Sequence, residues 1–325
     1  MGAGLGEFGR IAAFFAPLAG PGGLGLKDDA ALVECPVGRQ LVVTVDAIVA
    51  GVHFLPDDPP DLVARKLLRV NLSDLAAKGA RPRHYLLTTA LPASHDDPWV
   101  ERFAQGLAHD QLLYGVDLLG GDSVMTPGPA SFSLTAIGEV AAGAMVRRSG
   151  AQPGDHIWVS GTIGDAYLGL KALRGEYAEL PEPHRASLVA RFRLPEPRVA
   201  LGPRLVGLAH AMCDVSDGLL ADLGHICDTS GVAGVVRLPA LPFSAAAQAV
   251  LAAQPQLMPA LAAGGDDYEL LFTAPPEATA QIERLSRELA LQLTPVGFIA
   301  AGAGVRLVDA AGTEIPVAQA GWQHF

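Results

Sequence analysis

Short apolar runs of strand length alternate with longer stretches of helical pattern along the chain, and this alternation restricts the fold more than any other feature. Strand-like runs occupy 41–45, 84–90, 117–119, 131–140, 156–160, 211–214, 234–238, 269–273 and 295–299. Helical patterns occupy 8–18, 60–78, 98–114, 163–173, 197–209, 218–229 and 275–290. The order predicts an α/β and α+β architecture. A polar Gly/Pro turn, Arg148-Ser-Gly-Ala-Gln-Pro-Gly-Asp155, breaks the chain near its middle. For 325 residues, at about 150 per domain, two domains are expected, 1–149 and 150–325, each long enough to bury its own core. Within the second, 181–185 reads as a surface loop, and the Ala-rich stretch 245–263 as helical material broken by Pro255 and Pro259.

Composition narrows the function. Hydrophobic residues make up 50% of the chain and charged ones 18%, which excludes a disordered protein. The balance of 23 basic against 34 acidic residues gives a net charge of −11, opposed to binding a nucleic-acid backbone. An acidic chain that binds anionic metabolites needs metal ions or placed arginines between the two. No apolar run approaches the roughly 18 residues of a membrane-spanning helix. The stretch Ile11–Ala19 lacks a positive flank and contains Pro17, so it reads as a short core helix instead of a leader. Three cysteines without a CxxC pair (Cys35, Cys213, Cys227) indicate neither a disulfide framework nor a zinc site, and the expected compartment is the cytoplasm.

The placement of the acids carries the chemistry. Asp28-Asp29 follow a Gly-rich loop, Asp46 ends the run Leu41–Val45, and Asp74 lies in Asn71-Leu-Ser-Asp. Asp122 follows Gly120-Gly121, Asp214 and Asp217 share Asp-Val-Ser-Asp-Gly, and Asp266-Asp267 sit in Gly-Gly-Asp-Asp-Tyr-Glu. Aspartates at strand ends and glycine turns supply the hard oxygen ligands that magnesium takes, alongside water and substrate phosphates. Single aspartates also cap helices, as Asp217 before Gly218-Leu-Leu can, but caps do not call for glycine pairs beside them.

Common nucleotide signatures fail. No Gly-Lys dipeptide exists for a P-loop, and the two GxGxxG matches, Gly4–Gly9 and Gly20–Gly25, follow no strand. No serine sits in a Gly-x-Ser-x-Gly elbow. Arg147-Arg148 form the best basic pair for a phosphate clamp. His53, among apolar neighbours, reads as structural more readily than as a ligand contact. Trp322, in the terminal Gly-Trp-Gln-His-Phe, either packs on the body or stacks on a flat ligand.

Taken in order, these motifs resemble the thiamine-monophosphate kinase family, in the superfamily that includes aminoimidazole ribonucleotide synthetase and selenophosphate synthetase. The matching segments are Asp28-Asp-Ala-Ala-Leu, Val45-Asp-Ala-Ile-Val-Ala-Gly-Val-His-Phe54, Asn71-Leu-Ser-Asp-Leu-Ala-Ala-Lys-Gly-Ala80, Gly120-Gly-Asp-Ser123, Arg148–Asp155, Asp214-Val-Ser-Asp-Gly-Leu219 and Gly265-Asp-Asp-Tyr-Glu-Leu270. The segment ending in His53-Phe54, the Asn71 run and the terminal Gly-Trp-Gln-His-Phe favour the thiamine branch.

The resemblance implies an aminoimidazole-ribonucleotide-synthetase-like fold whose N-terminal domains pair into a β-barrel across a homodimer, followed by an α+β domain. It implies transfer of the ATP γ-phosphoryl to thiamine monophosphate with several magnesium ions, the alternative being a catalytically silent magnesium-nucleotide binding module or another ATP-dependent enzyme of the superfamily. By position, Asp29, Thr44, Val45, Asp46, Asp74, Asp122, Asp214 and Asp217 match the metal ligands. Gly121, Asp122, Arg148, Ser216 and Tyr114 match nucleotide contacts, and His53, Asp266 and Trp322 substrate contacts. No general base is expected; Asp46, Asp122 and Arg148 would stabilise charge. Three positions depart from the family: Lys27 stands where glycine is usual, Val45 where threonine is usual, and Asp266 where glutamate is usual.

Overall fold

The computed structural model describes residues 5–317 and 321. The chain forms two compact units, one comprising the chain to Leu75 with Ala80–Gly143, the other Ala76–Gly79 with the chain from Ala144.

The first unit contains strands β1 (Arg39–Val49), β2 (Arg81–Leu91), β3 (Asp117–Met125) and β4 (Ser131–Ala141), with helices α1 (Pro60–Ala77) and α2 (Asp97–Tyr114). Its sheet has the order β1-β4-β2-β3, antiparallel except for the β2–β3 pair, and is open. Alternation along β1 decides which face is covered. Val42 and Ile48 are buried and Thr44 and Asp46 half-buried, while Leu41, Val43 and Val45 are exposed. Thr44 and Asp46 bond to Asp74 and Asn71 of α1, and Phe132 of β4 stacks on Phe103 of α2 with ring centres 4.7 Å apart. Both helices therefore cover one face. The other face of β1 presents Leu41, Val43, Val45 and the small Ala47 to solvent.

The second unit contains β5 (His156–Ser160), α3 (Asp165–Leu173), α4 (Glu182–Arg193), β6 (Ala211–Asp214), α5 (Leu219–Ser230), β7 (Ala233–Arg237), α6 (Ala245–Ala253), β8 (Leu270–Ala274), α7 (Thr279–Glu288), β9 (Leu293–Ala300) and β10 (Gly304–Val308). Its sheet runs β10-β7-β9-β5-β8-β6 and is mixed, with only β10–β7 parallel. The run Ile157-Trp-Val-Ser160 is wholly buried because both faces of β5 are covered. Ile157 and Val159 join a core with Leu223 and Ile226 of α5, and Trp158 joins one with Ile282 and Leu285 of α7.

Several sequence expectations need correction. Asp46 and Asp122 lie inside strands, not at their ends, since β1 runs on to Val49 and β3 to Met125. Gly120-Gly121 is no turn; the register of β3 against β2 slips between Tyr85 and Leu86, which leaves a bulge. Residues 182–193 form α4 where a loop was expected over 181–185, Pro183 being tolerated in a first helical turn whose N–H groups have no partner anyway. The 197–209 stretch yields only the short helix Gly202–Leu205, and 8–18 divides into three short helical pieces. β10 was not foreseen.

Candidate active site

In the first unit the acids sit on rigid strands and one loop. Thr44 donates to Asp74 Oδ2 at 2.5 Å, and Asn71 accepts from the Asp46 N–H at 3.0 Å while donating to the Leu67 carbonyl at 2.9 Å. Asn71 is fully buried and fixes β1 against α1, so the Asn71-Leu-Ser-Asp74 motif has one structural member and one half-buried acid that meets Thr44 of β1. Val45 lies on the opposite face of β1, 60% exposed, and offers only its carbonyl oxygen as a ligand.

Asp28, Asp29, Gly121 and Asp122 line a cavity of about 200 Å³ together with Ile11, Phe15 and Leu119. Asp122 is exposed and accepts from the Ser123 N–H at 2.8 Å. Gly121 is required by close approach: a Cβ there would lie 1.7 Å from the Leu87 carbonyl oxygen. The loop that leads into Asp28-Asp29 holds Leu24 and Leu26 in left-handed backbone, φ 51° and 55°.

His53 follows β1 in a turn, half-buried, and its Nδ1 accepts from the Val49 N–H at 3.1 Å. In neutral His53 the proton therefore sits on Nε2. Tyr114 ends α2, half-buried, with the Arg69 guanidinium 5.5 Å from its ring centre. Asp110, fully buried, pairs with both Arg65 and Arg69 at 3.0 and 2.6 Å and so fixes that arginine.

In the second unit, Asp214-Val-Ser-Asp-Gly218 links β6 to α5. Asp214 is buried, Ser216 and Asp217 half-buried. Gly218, at the helix N-terminus, has no side chain with which to cap it. Asp222, one turn further on, does so instead: its Oδ2 accepts the N–H groups of Ser216, Asp217 and Gly218 at 3.0, 3.1 and 3.1 Å. Burial, then the nearby charges of Asp214 and Asp217, push the Asp222 carboxyl up to about 8, against the stabilising N–H bonds. Its Oδ1 is buried without a hydrogen-bond partner. Sequence reasoning missed Asp222; the available signal was an acid one turn into a helix that opens on glycine.

Arg148 is exposed and its carbonyl accepts from Ser230. The adjacent Cys213 is fully buried, and burial raises its thiol well above the usual range, which removes it as a nucleophile. Asp266 is half-buried in a loop before β8, with the Tyr268 hydroxyl donating to its Oδ1 at 3.4 Å. Trp322 lies outside the described residues.

The donors expected from sequence are all oxygens, and Asp222 beside Asp217 adds a buried carboxylate oxygen without a hydrogen-bond partner; this composition fits a hard divalent cation. Among the described residues, one group of three or more metal-competent side chains has ligating atoms within 4.8 Å of one another: Asp217, Asp222 and His225. The acids expected from sequence in the first unit are not gathered to that distance. Of these, Asp74 accepts from the Thr44 hydroxyl and Asp122 from the Ser123 N–H.

The family model for AIR synthase related protein, N-terminal domain, matches residues 27–140, and that for the C-terminal domain matches 152–310. The thiamine-monophosphate kinase of Caulobacter vibrioides is 43% identical over 98% of this chain and 90% of its own length. A crystal structure of thiamine-monophosphate kinase from Stenotrophomonas maltophilia K279a superposes with a TM-score of 0.81 at 43% identity, covering 87% of this chain and 89% of that one. The structure of AaThiL complexed with AMPPCP and TMP gives 0.78 at 32% identity, with 99% and 97% covered. Near-full-length identity at this level, on a matching two-domain fold, places the chain in the thiamine-monophosphate kinase family.

Proposed function

We infer that this chain transfers the γ-phosphoryl group of ATP to thiamine monophosphate, forming thiamine diphosphate and ADP. The observation that carries the reading is identity of 43% across 98% of the chain to a thiamine-monophosphate kinase. A close structural relative is complexed with AMPPCP and TMP.

The acceptor is a phosphate oxygen. A phosphomonoester with a second pKa near 6 is mostly dianionic at neutral pH, so no residue needs to remove a proton. The barrier lies in bringing two anions together and in charge on the transferred group. Asp29, Thr44, Asp46, Asp74, Asp122, Asp214 and Asp217, with the Val45 carbonyl, would hold magnesium. When bound, magnesium neutralises phosphate charge and aligns donor with acceptor. Arg148, exposed and cationic, is assigned to the phosphates of ATP. Ser216, Gly121 and Tyr114 are assigned to the nucleotide, the absent side chain of Gly121 letting its strand backbone come close. His53 and Asp266 are assigned to thiamine monophosphate, along with Trp322.

We put the functional division at 149/150, with the dimer contacts and most nucleotide and metal contacts assigned to residues 1–149, and to 150–325 an α+β domain that adds Asp214, Ser216 and Asp217. Leu41, Val43 and Val45, exposed by 38%, 60% and 60% on one face of β1, support pairing of that face with a second copy in a homodimer. No helix among the described residues is long and apolar enough to cross a membrane. The free thiols of Cys35, Cys213 and Cys227 support a reducing, cytoplasmic setting.

Incubation with ATP, magnesium and thiamine monophosphate, followed by chromatography of the thiamine esters, tests the reading. Thiamine diphosphate that disappears with EDTA is the expected result. ATP binding without product would overturn it in favour of a silent nucleotide module.

A further inference from the structure

The loop Gly264–Glu269 carries two non-glycine residues in left-handed backbone, Asp266 at φ 69° and Tyr268 at φ 52°. Such conformations persist only where the surroundings over-determine them. Two main-chain bonds hold the outward-facing residues: the Asp266 N–H donates to the Ser216 carbonyl and the Tyr268 N–H to the Val215 carbonyl, both at 2.8 Å. The intervening residues point inward and are carboxylates. Asp267, 1% exposed, accepts the Gly164 and Ala166 N–H groups at 2.6 and 3.3 Å at the start of α3.

Glu269 is fully buried and accepts from three side chains. Its Oε2 accepts from the Ser160 hydroxyl and from Arg198 Nε, both at 2.6 Å, and its Oε1 accepts from Arg191 at 2.8 Å and from the other arm of Arg198. Arg191 also reaches the Asp267 carbonyl at 3.3 Å, and Ser160 Oγ accepts from the Leu270 N–H at 2.8 Å. Room for this carboxylate depends on Gly161, φ 59°, where a Cβ would lie 2.1 Å from Glu269 Oε1. One glutamate thus ties α4, the segment after it and β5 to the end of the loop that carries Asp266. A two-armed arginine fixes a carboxylate in direction as well as distance, which a lysine does not.

We propose that Glu269, gripped by Arg191 and Arg198, is a positioning residue for the acceptor substrate. It touches no reacting atom and acts by holding the left-handed loop that presents Asp266. The proposal rests on the reading that Asp266 contacts thiamine monophosphate. The charged residues of Gly-Gly-Asp-Asp-Tyr-Glu then divide by direction: one faces the substrate and two are buried anchors.

Steady-state kinetics on Arg198→Lys, Glu269→Gln, Asp266→Asn and the double variant Arg198→Lys/Asp266→Asn test this, with unfolding midpoints measured alongside. Arg198→Lys keeps the charge and loses the fork, so it tests the proposal even if Glu269→Gln fails to accumulate. The expected result is a KM for thiamine monophosphate raised about tenfold in Arg198→Lys, with the KM for ATP within about twofold of the parent. The double variant should be no worse than Asp266→Asn alone, because both act through one carboxylate. Equal losses for both substrates, effects that multiply in the double variant, or an unchanged KM in folded Arg198→Lys would overturn the positioning role. An unchanged KM in Asp266→Asn would remove the acceptor reading, and the proposal with it. A raised KM in Asp266→Asn beside a normal one in Arg198→Lys would overturn the positioning role alone.

Discussion

The acids of the two units are held in different ways. In the first, Asp46 and Asp122 ride on strands whose pairing fixes them, Asp122 also accepting from the Ser123 N–H, and Asp74 on α1 accepts from Thr44 of β1. In the second, Asp217 and Asp266 sit on loops, and each loop is clamped from beneath by a buried carboxylate: Asp222 under the first, Asp267 and Glu269 under the other. A strand borrows its rigidity from the sheet, whereas a loop must be given its own. The clamping acids Asp222, Asp267 and Glu269 are buried, whereas Asp122 is exposed and Asp217 and Asp266 half-buried; Asp214 alone of the candidate ligands shares the burial of the clamps.

The largest effect of breaking the comparison is expected at Asp222. Asp222→Ala leaves three loop N–H groups without their acceptor and should cost about 3 kcal/mol of stability, read from denaturant midpoints. An unchanged midpoint would mean that the loop holds itself. In the first unit the corresponding support is backbone packing. Gly121→Ala drives a methyl into the Leu87 carbonyl and should cost about 2 kcal/mol, visible as a lowered melting temperature.

Much of this was legible in the chain. Nine strands were placed by apolar runs because runs such as Ile157-Trp-Val159 have no helical alternative of that length. The candidate acids were singled out because aspartates at the ends of apolar runs and beside glycines form a recognisable pattern. Three things were not legible. Gly120-Gly121 reads as a turn in sequence, and only the register slip against β2 shows a bulge within a continuing strand. The 182–193 helix was hidden behind two prolines and has no amphipathic stripe, since Leu188 and Phe192 are its only buried residues. Asp222 and Glu269 look like ordinary surface acids until the fold buries them.

A smaller effect sharpens the strand side of the comparison. Thr44→Val removes one hydroxyl donor to Asp74 and should cost about 1 kcal/mol, since β1 itself stays paired. A loss as large as that at Asp222 would show that strand-borne acids also depend on side-chain clamps.

The smallest effect concerns pH. Asp97 accepts from the Leu5 N–H at 2.7 Å and from Arg10 at 2.6 Å, which together hold its carboxyl below the usual range, the backbone bond contributing most. Because the folded value is depressed, this tether is complete above the ordinary carboxylate pKa and is lost as pH falls through the folded one. The protection factor of the Leu5 amide, taken against the intrinsic exchange rate at each pH, should fall in that acid window while those of the α5 amides are kept. Exchange in step at both places would contradict a local tether.

The central claim is that solvent-reaching acids such as Asp122 do the chemistry while Asp222, Asp267 and Glu269 hold the loops. Turnover of Asp122→Asn, measured beside its melting curve, tests this most directly. The account predicts a loss of about a thousandfold or more in thiamine diphosphate formation, with the melting temperature within about 2 °C of the parent. Turnover near the parent's in the folded variant would contradict it.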